Sequence, residues 1–170
     1  MRNLVFIDTE TTGLNPKMHQ VWEVAWAVND GPIETAQVPH NLNHAEPAAL
    51  RINGYLDRVT GDPEKTGIWW HTQRQLLIDA LRDAHLVGSN PAFDARMLEP
   101  LVGTPWNHRL IDISAMAMVA IGWHRPKGMA DIRKALVLDG FDIPEPDHTA
   151  AGDVACLRAC YTVLVGDAPA

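Results

Sequence analysis

Apolar residues recur along this chain in two rhythms. Asn3–Ile7 is a short, nearly continuous apolar run of the kind a buried strand makes. From Val21 to Val28 the pattern alternates, which places Trp22, Val24, Trp26 and Val28 on one face of a second strand. Asn29-Asp30-Gly31-Pro32 then turns the chain. A third strand is expected near Thr35–Leu42. Residues 43–67 show no period apart from one helical piece at Pro47–Gly54. Between Thr66 and Ala84 the spacing becomes helical, with Trp69, Gln73, Leu76, Leu77, Ala80 and Leu81 on one side. That period assigns Trp69 to the core. His85–Gly88 reads as a brief strand, and Asn90-Pro91 opens a helix to about Leu101, proline being favoured in a first helical turn. Arg109–Ile113 is a fifth strand leading into a helix through Met118, and Gly128–Leu138 and Thr149–Val165 are the remaining helices. Three strands followed by alternating helix and strand predict an α/β fold, a mixed sheet covered by helices.

Composition narrows the class. At 170 residues and 46% hydrophobic content the chain suits one domain, residues 1–170. Charged residues make up 21%, with only 12 Gly and 12 Pro, which excludes a disordered or low-complexity chain. No apolar run reaches the roughly 18–20 residues of a membrane span, and Met1-Arg2-Asn3 leads into a strand rather than a signal-peptide core. Cys156 and Cys160 do not make a disulfide framework; four apart on the last helix, they read as buried structural thiols. A cytoplasmic protein with no membrane partner is expected. The net charge of −7 excludes a broad basic surface that coats nucleic acid. It leaves room for a small site where bound cations supply the positive charge.

Asp8-Thr9-Glu10 lies immediately after the first apolar run. Side chains two apart on a strand share a face, so both carboxylates project from the strand's end in one direction. Held that close, they repel unless a cation neutralises them, and an oxygen-only donor set suits Mg²⁺ or Mn²⁺. Taken alone, such a pair more often merely ends a strand. Further along, Asn90-Pro-Ala-Phe93-Asp94 opens a helix on which Phe93, Met97 and Leu101 share a face. His148 and Asp153 stand five apart, which fits a loop histidine, a cap at Thr149 and an aspartate in the opening turns of a helix.

These strings resemble the motifs of the DnaQ-like DEDDh 3′→5′ exonucleases. Asp8-Thr-Glu10-Thr-Thr-Gly13-Leu14 is similar to the first, Asn90-x-x-Phe93-Asp94 to the second and His148-x-x-x-x-Asp153 to the third. In the right order they span residues 8 to 153. The resemblance implies a ribonuclease H-like fold, with a five-stranded mixed β-sheet flanked by α-helices. It also implies phosphodiester hydrolysis with two divalent metal ions, Mg²⁺ or Mn²⁺. Asp8, Glu10, Asp94 and Asp153 would hold the metal, and His148 would act as general base on the attacking water. Thr11, Thr12, Leu14, Asn90 and Phe93 would contact the 3′ end of the substrate, with Leu14 and Phe93 against the terminal bases.

The expected substrate is single-stranded or frayed DNA, because Asn90–Asp94 looks closer to the proofreading and repair members. RNA 3′ ends with the same chemistry are the nearest alternative, and a catalytically silent nucleic-acid-binding module is the rival of another class. The short stretch after the last helix resembles no polymerase tether, so a stand-alone enzyme or homodimer is expected. Trp70 is left open between core and a stacking platform for bases. Glu23, inside the second strand, is expected to make a structural hydrogen bond. Arg51, Arg58, Arg74, Arg96, Arg125 and Lys127 are candidate phosphate contacts.

Overall fold

The computed structural model describes residues 2–59 and 67–166. Five strands form one mixed sheet in the order β3-β2-β1-β4-β5. β1 (Leu4–Thr11), β2 (Val21–Val28) and β3 (Ile33–Gln37) make an antiparallel meander. β4 (His85–Gly88) and β5 (Ile111–Asp112) then add in parallel on the other side of β1. Short helices α1 (Pro47–Ile52) and α2 (Tyr55–Arg58) follow the meander. The long helices are α3 (Gly67–Leu81), α4 (Pro91–Val102), α5 (Ile113–Ile121), α6 (Met129–Leu138) and α7 (Ala150–Val165). Among the described residues no helix is long and apolar enough to cross a membrane.

The sheet divides the core into two layers. Val5 and Ile7 of β1 face one layer with Val24 and Trp26 of β2, covered by Leu77 and Leu81 of α3 and Leu98 of α4. Phe6 faces the other with Ala25 and Ala27, covered by Ile113 of α5, Ile132 and Leu136 of α6 and Leu157 of α7. Strict alternation along β1 therefore carries Asp8 and Glu10 out on the α7 side and Thr9 and Thr11 on the α4 side.

Three expectations are corrected. Trp22 does not share the face of Val24, Trp26 and Val28: Glu10 pairs with Glu23 but Thr11 with Val21, so Trp22 is an extra residue at a bulge. Its ring instead meets Tyr55 edge-on, with centroids 5.2 Å apart. Trp69 is not in the core but 78% exposed, and Trp70 is the buried one, on the stripe it shares with Leu77 and Leu81. The third strand lies at Ile33–Gln37, ending well before Leu42. Thr66, the expected first residue of α3, falls outside the described residues. Cys156 and Cys160 are both fully buried, as expected.

Candidate active site

Sheets of this kind open a crevice where strand direction reverses, beyond the carboxyl ends of the parallel strands. Here that place is the end of β1, which has antiparallel β2 on one side and parallel β4 on the other. A cavity of about 360 Å³ lies there. Asp8, Glu10, His148 and Asp153 give it chemically active walls, and Leu14, Ile52 and Phe93 give it apolar ones.

The carboxylates converge from two elements. Asp8 and Glu10 point toward α7, whose first turn is set by Thr149: its hydroxyl accepts the Gly152 amide at 2.9 Å. Asp153 in that turn meets the strand pair, and one oxygen from each of Asp8, Glu10 and Asp153 lies within 4.8 Å of the others. Burial, then the neighbouring Asp94, Asp153 and Glu10, hold the Asp8 carboxyl well above its usual range. Burial and Asp153 push Glu10 up to about 8, against the opposing pull of Arg58. Burial also raises Asp153, although the His148 amide donates to it at 3.2 Å. A crowded cluster of buried oxygens that holds protons for want of a counter-charge fits a hard divalent cation such as Mg²⁺ or Mn²⁺.

Asp94 stands outside this trio and does not line the cavity. It is buried on α4, where it accepts the Thr9 hydroxyl at 2.7 Å. Burial raises its carboxyl to about 7, with the Thr9 bond opposing. His148 is exposed in the loop before α7, in the left-handed region at φ +59°. Leu14 is 73% exposed at the cavity, and Phe93 both lines it and packs against the core. Thr11 lines the cavity, its hydroxyl donating to the Gly13 carbonyl at 2.9 Å. Thr12 turns inward instead: its hydroxyl accepts the Gln20 amide at 2.9 Å and its carbonyl the Glu46 amide at 2.8 Å. Asn90 also lies off the cavity, in the left-handed region at the start of α4, its amide donating to Asp112 at 3.2 Å.

Residues that the motifs did not flag complete the site. Thr9 bonds Asp94 from the opposite face of β1. Asn53, at the end of α1, donates to the Thr11 carbonyl at 3.0 Å. Ile52 and Ala49 on α1 line the cavity. Of the candidate phosphate contacts, Arg74 donates to the Leu101 carbonyl at 2.6 Å and Arg58 is turned into the protein.

No family model matches the chain. Curated relatives named oligoribonuclease do align with it. The protein from Baumannia cicadellinicola is 26% identical over 155 residues, covering 79% of this chain and 82% of the relative. That from Klebsiella pneumoniae is 26% identical over 173 residues, covering 89% and 87%. Among solved structures, Brucella melitensis NrnC superposes with a TM-score of 0.60 at 18% identity, covering 97% of this chain and 73% of that one. The zinc-bound complex of E. coli ExoI with ssDNA superposes with a TM-score of 0.68 at 18% identity. This chain is covered to 99% there, and it spans 41% of ExoI. The sheet order, the three carboxylates at the end of β1 and these likenesses together support the resemblance to the DnaQ-like 3′→5′ exonucleases and their ribonuclease H-like fold.

Proposed function

We propose that this site removes nucleoside 5′-monophosphates one at a time from the 3′ end of short single-stranded RNA. The observation that carries the chemistry is the meeting of Asp8, Glu10 and Asp153 within 4.8 Å, in a cavity that His148 also lines. The relatives named oligoribonuclease align over most of the chain and favour RNA over the DNA that the Asn90–Asp94 motif suggests. DNA is the second reading, favoured by the superposition on an ssDNA complex.

Asp8, Glu10 and Asp153 would hold the divalent metal, with Asp94 supporting them from behind through Thr9. When bound, Mg²⁺ or Mn²⁺ supplies the charge that acidifies water and offsets the phosphate. His148, exposed beside the carboxylates, takes the proton from the attacking water on a ring nitrogen. Leu14, Ile52 and Phe93 offer apolar surface to the terminal base, which stacks without regard to sequence. Thr11 and the chain beside it stand where the terminal sugar would enter.

The test is a gel time course on matched RNA and DNA single strands labelled at either end, with Mg²⁺, Mn²⁺ or EDTA, beside the Asp8→Ala protein. The expected result is a metal-dependent ladder shrinking from the 3′ end, faster on RNA and absent in the variant. A faster DNA ladder selects the second reading. Cleavage of neither strand would leave the silent binding module.

A further inference from the structure

A general base on an exposed loop must be held still, and His148 is the hardest residue of the site to hold. Its left-handed backbone at φ +59° costs a residue with a side chain, so surrounding contacts must impose it. Two contacts do so from opposite sides. Its amide donates to Asp153 at 3.2 Å, and its carbonyl accepts Nη1 of Arg58 at 3.1 Å.

Arg58 is itself fixed. The same Nη1 donates to the Asn53 carbonyl at 3.0 Å, which ties the turn between α1 and α2. Nη2 is paired with the Glu23 carboxylate, and the guanidinium lies over the Trp22 ring, 4.8 Å from its centroid. The planar fork is thereby set in one orientation, which a lysine could not reproduce. Glu23 completes the arrangement: the oxygen that takes Arg58 also accepts the Ala150 amide, at 3.0 Å, from the first residue of α7. One ion pair thus spans β2, the α1–α2 turn and both sides of Thr149. Its Arg58 side chain is only 23% exposed, and its terminal nitrogens point into the protein rather than toward a phosphate.

We propose that Glu23 and Arg58 are a positioning pair that holds His148 in register with Asp153, and that Arg58 acts on turnover through His148 rather than through substrate. The inference rests on His148 being the base. It accounts for two features that a merely structural salt bridge does not. The pair sits on the strained carbonyl of His148 itself, and Glu23 faces Glu10 directly across the β1–β2 ladder. The bulge at Trp22 is what turns an indole toward the α1–α2 segment and gives the guanidinium its platform.

The experiment is a double-mutant cycle on kcat, with KM and Mn²⁺ affinity measured in parallel. At saturating Mn²⁺, Arg58→Met should lower kcat by about 10–100-fold, the scale of a small misplacement of a catalytic group, with KM within twofold of the parent. In a His148→Ala background the same substitution should change kcat less than about twofold, because residues that act as a unit are not additive. Arg58→Lys, which keeps the charge beside Glu23, should show a smaller loss that also vanishes in that background. It carries the test if Arg58→Met does not fold by circular dichroism. Equal losses in both backgrounds, or a raised KM with unchanged kcat, would overturn the pair's role while leaving the base in place. Wild-type turnover by His148→Ala would remove the base assignment, and the positioning role with it.

Discussion

At the scale of single residues, the site depends on hydroxyl and amide groups that hold its carboxylates. Thr9 is the clearest case. Its hydroxyl donates to Asp94 at 2.7 Å inside a buried pocket, where burial already raises that carboxyl to about 7. Thr9→Val keeps the shape and removes the donor, so Asp94 holds its proton more tightly and supports a cation less well. Metal affinity should fall by about 10–100-fold, as for other groups behind a metal ligand, while Thr9→Ser stays near the parent. A Mn²⁺ titration reads this directly, and an unchanged affinity in Thr9→Val would place Asp94 outside the metal's support. The variant His148→Ala should separate cleanly from it: metal affinity holds while kcat falls by about 10²–10⁴-fold. That Asp8, Glu10, His148 and Asp153 share one cavity was legible in the sequence, because their spacing is local to one strand end or one helix start; Asp94, expected beside them, does not line it. Thr9, Asn53 and Arg58 were not legible, because each finds its partner far along the chain; Thr9 and Asp94 are 85 residues apart.

At the scale of elements, periodicity located the strands and helices better than it oriented them. β4, α4 and α7 fall where the sequence places them, each marked by a proline or a cap at its start or by a short apolar run. α3 carries two neighbouring apolar stripes, Trp69 with Leu76 and Trp70 with Leu77, and only the packed sheet decides that the second goes inside. The alternation of β2 breaks at Trp22 because a bulge has no signature in a hydrophobic pattern. The four-residue α2 is too short to show a period, and the strand expected at Arg109–Ile113 is present as the two residues of β5. The start of α7 matters most for function, since one turn carries His148 before it and Asp153 within it. Thr149→Ala removes the acceptor for the Gly152 amide and should cost about 1 kcal/mol in urea denaturation. If that cap also aims the site, kcat should fall by more than the folded fraction explains at the assay temperature. A stability loss with parental kcat in the folded protein would separate the cap from catalysis.

At the scale of the whole molecule, the motif resemblance implied the five-stranded mixed sheet flanked by helices that is observed, whereas periodicity alone leaves its strand order open. The contacts that close the fold, such as Glu23 with the Ala150 amide across 127 residues, follow from topology. That topology gathers four carboxyls of a chain with net charge −7 at one sheet end, and this makes stability depend on pH in a definite direction. Glu10 is raised from 4.5 to about 8 and Asp94 from 3.8 to about 7, with Asp8 and Asp153 raised as well. Without metal, the folded site keeps protons that the unfolded chain has already released in this range. The contribution is therefore complete below about pH 4 and is lost as pH rises through about 7 to 8. His40, whose ring is buried and held below its usual value, contributes with the opposite sign, so the informative quantity is a difference between variants. The metal-free parent should lose more Tm between pH 5 and pH 8 than Glu10→Gln does. Excess Mg²⁺ should restore the parent more at pH 8 than at pH 5, because the cation competes with protons for the same oxygens and stabilises the state it binds. Parallel pH profiles for the two proteins, or a Mg²⁺ effect that does not grow with pH, would mean that the cluster does not control the charge balance of this fold.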